Sequence, residues 1–133
     1  MCGGKFYYDL LKARSDRGAN DVAILRLEQL YPFPRVGLKD LLLRFPGSAE
    51  VAWVQEEPRN MGPWRVMNEF IQPLLDPSRR RLHYIGRTDS ASPAAGSYKR
   101  HDQEQKEILE ACFAPELASP VKRMRVVKTR KSS

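Results

Sequence analysis

"AEVAWVQEEPRNMGPWRVMNEF", residues 49–70, passes from one kind of structure to another within a few residues. Residues 49–57 are short, apolar and rich in valine, and they end at two adjacent carboxylates, Glu56 and Glu57. That is the composition of a mostly buried strand. Pro58 and Gly62 punctuate the residues after it, and Pro63 stands at the first turn of a helix predicted over residues 63–75. A strand feeding directly into a helix is half of a βαβ unit, so the neighbouring segments decide whether the pattern continues. It does, in both directions. "RLHYIGR" (81–87) predicts a further strand and "HDQEQKEILEACF" (101–113) a closing helix. Upstream, "VGLKDLLLRFPG" (36–47) places Leu38, Leu41, Leu42 and Phe45 on one helical face, and Pro46-Gly47 ends it. "DVAILRLEQL" (21–30) predicts a strand, and "KFYYDLLKARSDRG" (5–18) a helix that stops at Gly18. Alternating strands and helices require crossovers, and crossovers give an α/β domain with a mostly parallel sheet. "MCGGK" resembles the loop at the carboxyl end of a strand, which puts the first strand of the sheet upstream of Met1.

The chain has 133 residues, enough for one domain with a workable core. No apolar run approaches the roughly 18 residues that cross a membrane, and the N-terminus lacks the pattern of a signal or transit peptide. The expectation is a cytoplasmic or mitochondrial-matrix protein with no membrane partner. Cys2 and Cys112 stand at opposite ends without metal-ligand spacing, so reduced thiols are expected. The formal charge of +7 is concentrated in residues 120–133, with Lys122, Arg123, Arg125, Lys128, Arg130 and Lys131 and no acid. The remainder has 17 basic and 16 acidic residues, close to neutral. The division is therefore a folded domain over 1–114 and a basic, flexible tail over 115–133. The tail's charge suits nucleic acid or an acidic partner.

Gly3-Gly4-Lys5 before a helix could hold an anion on free N–H groups, but the spacing is not that of a phosphate loop and an ordinary tight turn explains it. Tyr7 and Tyr8 suit core and interface packing. Glu56 and Glu57, at a strand's carboxyl end, occupy the place where open α/β sheets gather ligands. Neighbours in an extended segment point to opposite faces, so they do not form one acid–base pair. One is expected to accept from the N–H groups of the following helix, and the other to face a partner or a basic side chain. His83, within a strand, suits a satisfied or exposed side chain. Arg87, Ser90, Ser92, Lys99, Arg100 and His101 gather hydroxyls and positive charge near a helix entry. An acidic small molecule such as a nucleotide or coenzyme A could bind there, and a solvated basic loop accounts for it equally. No Ser-His-Asp spacing, metal-ligand cluster or phosphate-loop motif is present, which leaves the segment without a catalytic site of its own.

"CGGKFYYDLLKAR", "VAILRLEQLYPFP", "WVQEEPRNMGPW" and "YIGRTDSASPAAGSYKRHDQEQ", in this order and spacing, resemble the C-terminal domain of the thiamine-dependent component of 2-oxoglutarate dehydrogenase. The likeness covers residues 1–114 and leaves the basic tail outside. It implies a domain of the transketolase C-terminal type: three layers, a mostly parallel sheet and helices on both faces. It further implies a homodimeric enzyme that decarboxylates 2-oxoglutarate on thiamine diphosphate with magnesium and succinylates the lipoyl arm of a dihydrolipoyl succinyltransferase complex, a citric acid cycle step. The thiamine and magnesium ligands belong to upstream domains of such an enzyme, so no cofactor is assigned to this segment. In some relatives the domain carries an acetyl-coenzyme A effector site, for which the corresponding residues are Arg26, Gln55, Arg87, Lys99, Arg100 and Gln103, with the basic groups on phosphates. Two positions depart from the family pattern, Gly3 where a hydroxyl residue is usual and Met61 where glutamine is common. The contrasting readings are a stand-alone scaffold whose tail binds nucleic acid or an acidic partner, and a sensor of acetyl-coenzyme A alone.

Overall fold

The computed structural model describes residues 1–91 and 97–115. Helix α1 (Phe6–Arg17) buries Phe6, Leu10 and Ala13 and stops where Gly18 turns left-handed, its N–H bonded to the carbonyls of Arg14 and Ser15. Helix α2 (Arg35–Leu42) buries Leu38 and Leu42. Strand β1 (Ala52–Pro58) is followed by helix α3 (Trp64–Leu75), which buries Trp64, Met67, Ile71 and Leu75 at steps of three or four residues. Pro73 sits in the last turn of α3, where few following residues depend on the ladder it interrupts. A 3₁₀ turn (Asp76–Ser78) leads towards strand β2 (His83–Arg87), and helix α4 (Tyr98–Cys112) closes the described body. Helix α4 starts three residues before the predicted His101, because Ser97 caps it by accepting from the N–H of Arg100 at 3.2 Å.

Strands β1 and β2 pair in parallel, with Ala52 opposite His83, Trp53 opposite Tyr84 and Val54 opposite Ile85. The register is irregular between Val54 and Pro58, which stands opposite Arg87. On the far side of β1 the Met1 amine donates to the Ala52 carbonyl at 2.6 Å, and the Val54 N–H donates to the Met1 carbonyl at 2.8 Å. Cys2 continues outward: its N–H meets the Leu25 carbonyl at 3.0 Å and its carbonyl receives the Leu27 N–H at 2.9 Å, a parallel bridge to Arg26. The spatial order is thus residues 25–27, Met1–Cys2, β1, β2.

The strand predicted over residues 21–30 is corrected by this arrangement. Only an isolated bridge forms there, because Cys2 alone lies beside it and a ladder needs a partner residue at every second position. A cis Tyr31–Pro32 peptide bond follows a few residues after the bridge. The expected N-terminal turn is present: Gly4 is left-handed and its carbonyl receives the Tyr7 N–H.

Two apolar clusters lie on opposite faces of the extended segments, as period-two alternation requires. Leu27, Val51 and Trp53 face Leu38 and Leu42 of α2 and Met67, Ile71 and Leu75 of α3. Cys2, Val54 and Ile85 face Phe6 and Leu10 of α1 and Ile108 of α4. Trp53, Met67, Ile71 and Leu75 are almost wholly buried, each contributing roughly 1.5–3 kcal/mol by removal from water. The described residues form a mixed helix and parallel-strand structure of the α/β class.

Candidate functional site at the carboxyl ends of the strands

Strand β1 ends in Gln55-Glu56-Glu57, and alternation sends the first two side chains to opposite faces. Gln55 is 3% exposed and lies with Trp53, whose indole Nε1 donates to its Oε1 at 3.1 Å. Its Nε2 faces three carbonyls, those of Glu57 at 3.2 Å, Pro58 at 3.0 Å and Met61 at 2.9 Å. One buried amide therefore holds the whole turn from β1 to α3. Glu56 points to the other face, where its Oε1 accepts from Gln105 Nε2 of α4 at 2.9 Å. Glu57 is exposed, and Pro63, not a carboxylate, occupies the N-cap of α3 without a side-chain cap bond. The expectation that one carboxylate caps that helix is therefore corrected: Pro58 and the tight Met61-Gly62 turn aim the chain into α3 before either carboxylate can reach its N–H groups.

Beside Glu56, Glu104 of α4 gathers two guanidinium groups. Arg87, at the end of β2, places Nε 2.7 Å from Glu104 Oε2, and Arg100 places Nε 3.2 Å from Glu104 Oε1. The first pair is mostly shielded from solvent and the second is largely exposed, so the first is the one that low local dielectric strengthens. The loop after β2 is fastened to the turn after β1 by Asn60, whose Nδ2 donates to the Ser90 carbonyl at 2.8 Å while its Oδ1 accepts the Ser90 N–H at 3.0 Å. Arg26 stands further along the sheet, 5.4 Å from the ring centre of Tyr7 and 5.3 Å from that of Tyr8, with Nη1 3.3 Å from the Tyr8 hydroxyl and 3.6 Å from Glu28.

Of the six residues singled out for an effector, the structure joins Arg87 and Arg100 through one carboxylate. Lys99 and Gln103 are exposed on α4, Gln103 donating to Glu107 at 3.1 Å. Arg26 lies over its tyrosines, and Gln55 faces the opposite side of the sheet and is committed to the turn. His101 is exposed in the first turn of α4, and Ser92 lies outside the described residues. Sequence reading did not single out Glu104, Gln105 or Asn60. The Arg100/Glu104 spacing of four on a helix was a usable signal for the first; Asn60 carried none, since its partner is 30 residues away.

The arrangement suits recognition of an anion by guanidinium groups more than bond-making chemistry. Among the described residues no group of three or more His, Cys, Asp or Glu could hold a metal ion.

Tyr84 links the same turn to β2, donating to the Arg87 carbonyl at 2.6 Å and lying 3.3 Å from that of Glu57. Burial pushes its phenol up from 10.0 to about 12. The folded chain therefore keeps this proton to higher pH than the unfolded chain does. Its stabilising effect is complete below pH 10 and is lost as pH rises towards about 12. Denaturant midpoints measured from pH 9 to 12 should fall more steeply for the native chain than for Tyr84→Phe; equal slopes would contradict the assignment.

Comparison with known proteins adds a family to this geometry. A family described as 2-oxoglutarate dehydrogenase C-terminal matches residues 1–113. The 2-oxoglutarate dehydrogenase E1 component of Cupriavidus necator is 46% identical over 114 residues, covering 86% of this chain and 12% of that protein. The proteins of the same name from Brucella anthropi and Brucella ovis are each 44% identical over 113 residues, covering 83% of this chain and 11% of theirs. The chain thus spans about one-eighth of the length of these relatives. With the family matched over residues 1–113 and 46% identity to one relative over 114 residues, the chain belongs to the 2-oxoglutarate dehydrogenase C-terminal family.

Proposed function

We propose that this segment serves as the dimer-forming and regulatory C-terminal domain of a 2-oxoglutarate dehydrogenase E1 component and performs no catalysis by itself. The observation that carries this reading is the 46% identity over 114 residues to a protein of that name. In such an enzyme thiamine diphosphate with magnesium supplies the decarboxylation chemistry, and both are held by upstream domains of the same polypeptide. The part proposed for the residues of this segment is structural and recognitional. The partners proposed are those upstream domains, a homodimer mate, and a dihydrolipoyl succinyltransferase complex that receives the succinyl group, in the cytoplasm or mitochondrial matrix. No helix among the described residues is long and apolar enough to cross a membrane. The opposed core clusters support a three-layer domain of the transketolase C-terminal type.

At the rim, Arg26, Arg87, Lys99 and Arg100, with Gln103 nearby on α4 and Gln55 as the clamp behind the turn, form the proposed acetyl-coenzyme A effector site. An anionic effector would compete with Glu104 for Arg87 and Arg100, exchanging one anion for another at little electrostatic cost. The test is to exchange the matching C-terminal segment of the Cupriavidus necator enzyme for residues 1–113 of this chain. Decarboxylation of 2-oxoglutarate within about tenfold of the parent (a loss below roughly 1.4 kcal/mol in barrier) is expected, together with a response to acetyl-coenzyme A that Arg100→Ala weakens. A folded, dimeric chimera without activity would overturn the proposal.

A further inference from the structure

Helix α4 is anchored in the core along only part of its length. Ile108 is its buried residue, and Leu109, Ala111 and Cys112 pack with it against the cluster that holds Cys2, Val54 and Ile85. Phe113, just past the helix, joins the same cluster and carries the guanidinium of Arg17 5.3 Å from its ring centre. The first half of the helix differs. Tyr98, Lys99, Arg100, His101, Asp102 and Gln103 are all exposed, and none of them belongs to either core cluster.

Among the described residues, two polar contacts tie residues 98–105 to the sheet. Glu104 meets Arg87 at the end of β2, and Gln105, the next residue, meets Glu56 at the end of β1. The remaining side-chain contacts of this half, Arg100 with Glu104, Asp102 with Lys106 and Gln103 with Glu107, run within the helix itself. They favour helical form without fixing where the helix lies. A helical stretch this short is marginal without tertiary support. Its place therefore depends on Glu104 and Gln105, and the contact between full charges is the stronger of the two.

Side-chain exposures of 10% for Arg87 and 21% for Glu104 make either charge costly to leave alone. The pair accordingly stays closed until something replaces the carboxylate. A phosphate group can replace it, since its oxygens match the guanidinium fork, and Lys99 and Arg100 add positive charge on the solvent side. The exchange substitutes one ion pair for another, which is the condition for two states of similar free energy.

We infer that residues 98–105 form a latch, closed by Glu104 on Arg87 and opened by a phosphate-class anion that takes the place of Glu104. Opening also draws Gln105 away from Glu56 and leaves a bare carboxylate at the end of β1. Ile108 stays seated, so the core around Cys2 and Val54 is undisturbed. The inference rests on the reading of Arg87 and Arg100 as an anion site and adds what binding there does to the helix.

The test follows amide exchange along α4 in the full chain at low ionic strength, with inorganic pyrophosphate as the probe. Pyrophosphate should quicken exchange at residues 102–105 by about fivefold or more and leave Ile108 and Leu109 within about twofold. Glu104→Gln should show the same quickening with no anion present, and pyrophosphate should then add little. Arg100→Ala removes a contact inside the helix only, so without pyrophosphate its exchange should stay within about twofold of the native chain. Unchanged or slower exchange at residues 102–105, as when pyrophosphate settles on other basic groups, would overturn the inference. So would a Glu104→Gln chain as protected as the native one, or equal quickening at Ile108, which would mean that the whole helix leaves. The latch and the effector fail separately. A Cupriavidus necator chimera that ignores acetyl-coenzyme A while pyrophosphate opens α4 counts against the effector alone, and a responsive chimera whose α4 stays protected counts against the latch alone.

Discussion

Gln55→Leu should destabilise the chain by about 3 kcal/mol and lower Tm by roughly 10 °C, although it exchanges one buried side chain for another of similar volume. The loss comes from stranded polar atoms. Trp53 Nε1 loses its acceptor where water is excluded, and the Met61 carbonyl loses its donor where water is partly excluded. The Pro58 carbonyl keeps the Met61 N–H at 2.9 Å, and the Glu57 carbonyl stands at an exposed position where water can serve it, so two groups are stranded rather than four. Two unsatisfied groups at roughly 1–3 kcal/mol each set the magnitude. Gln55→Glu should be worse still, since it retains the acceptor for Trp53 but turns a buried negative oxygen towards carbonyl oxygens. Thermal unfolding of the three chains decides the matter, and a Gln55→Leu variant within about 2 °C of the native Tm would show that the clamp contributes little. The same variant should loosen the turn that carries Asn60, and with it the loop at Ser90, so exchange of the Ser90 amide should quicken.

A single methyl group at residue 86 is expected to cost about as much. The Cβ of Gly86→Ala would stand 2.5 Å from the Tyr84 hydroxyl and 2.8 Å from the Gln55 backbone carbonyl. The hydroxyl can swing away only by giving up its bond to the Arg87 carbonyl. The carbonyl belongs to β1 itself, so relief there means parting β1 from β2. Overpacking of this kind costs about 3 kcal/mol when backbone must move. Adding Tyr84→Phe separates the two contributions. It removes the hydroxyl clash and leaves the carbonyl clash, so partial recovery of Tm is expected. Full recovery would place the whole conflict at the hydroxyl, and a Gly86→Ala chain as stable as the native one would contradict the close approach of the strands.

Local pattern was enough wherever an element's own residues carried the cause. Helix α3 could be read from Trp64, Met67, Ile71 and Leu75 because one buried face at helical spacing is a property of the segment, whatever it packs against. Strands β1 and β2 could be read because Trp53 and Val54 in one, and Tyr84 and Ile85 in the other, supply apolar side chains to both faces of the sheet. The end of α1 was visible in Gly18, which adopts the left-handed turn at little cost. Residues 21–30 mark where local pattern stops being enough. Their composition is that of a strand, yet a strand is completed by a partner, and Cys2 supplies one bridge only.

The site was less legible than the fold. Gln55 drew notice through a family likeness and Arg87 through the basic cluster before α4, but nothing in their spacing distinguishes a clamp that holds a turn from a group that meets a ligand. Arg87 and Glu104 are 17 positions apart, and Glu56 and Gln105 are 49 apart. Pairings at such distances depend on which helix crosses which strand end. The sequence by itself determined the α/β class, the helical faces, the approximate element boundaries and, by identity, the family. Only the tertiary structure decided that Gln55 turns inward while Glu56 turns to α4, and that Glu104 joins two arginines. The physical reason is that periodicity is written along the chain, whereas a hydrogen-bond partner or an ion pair exists only once separate segments have been brought together.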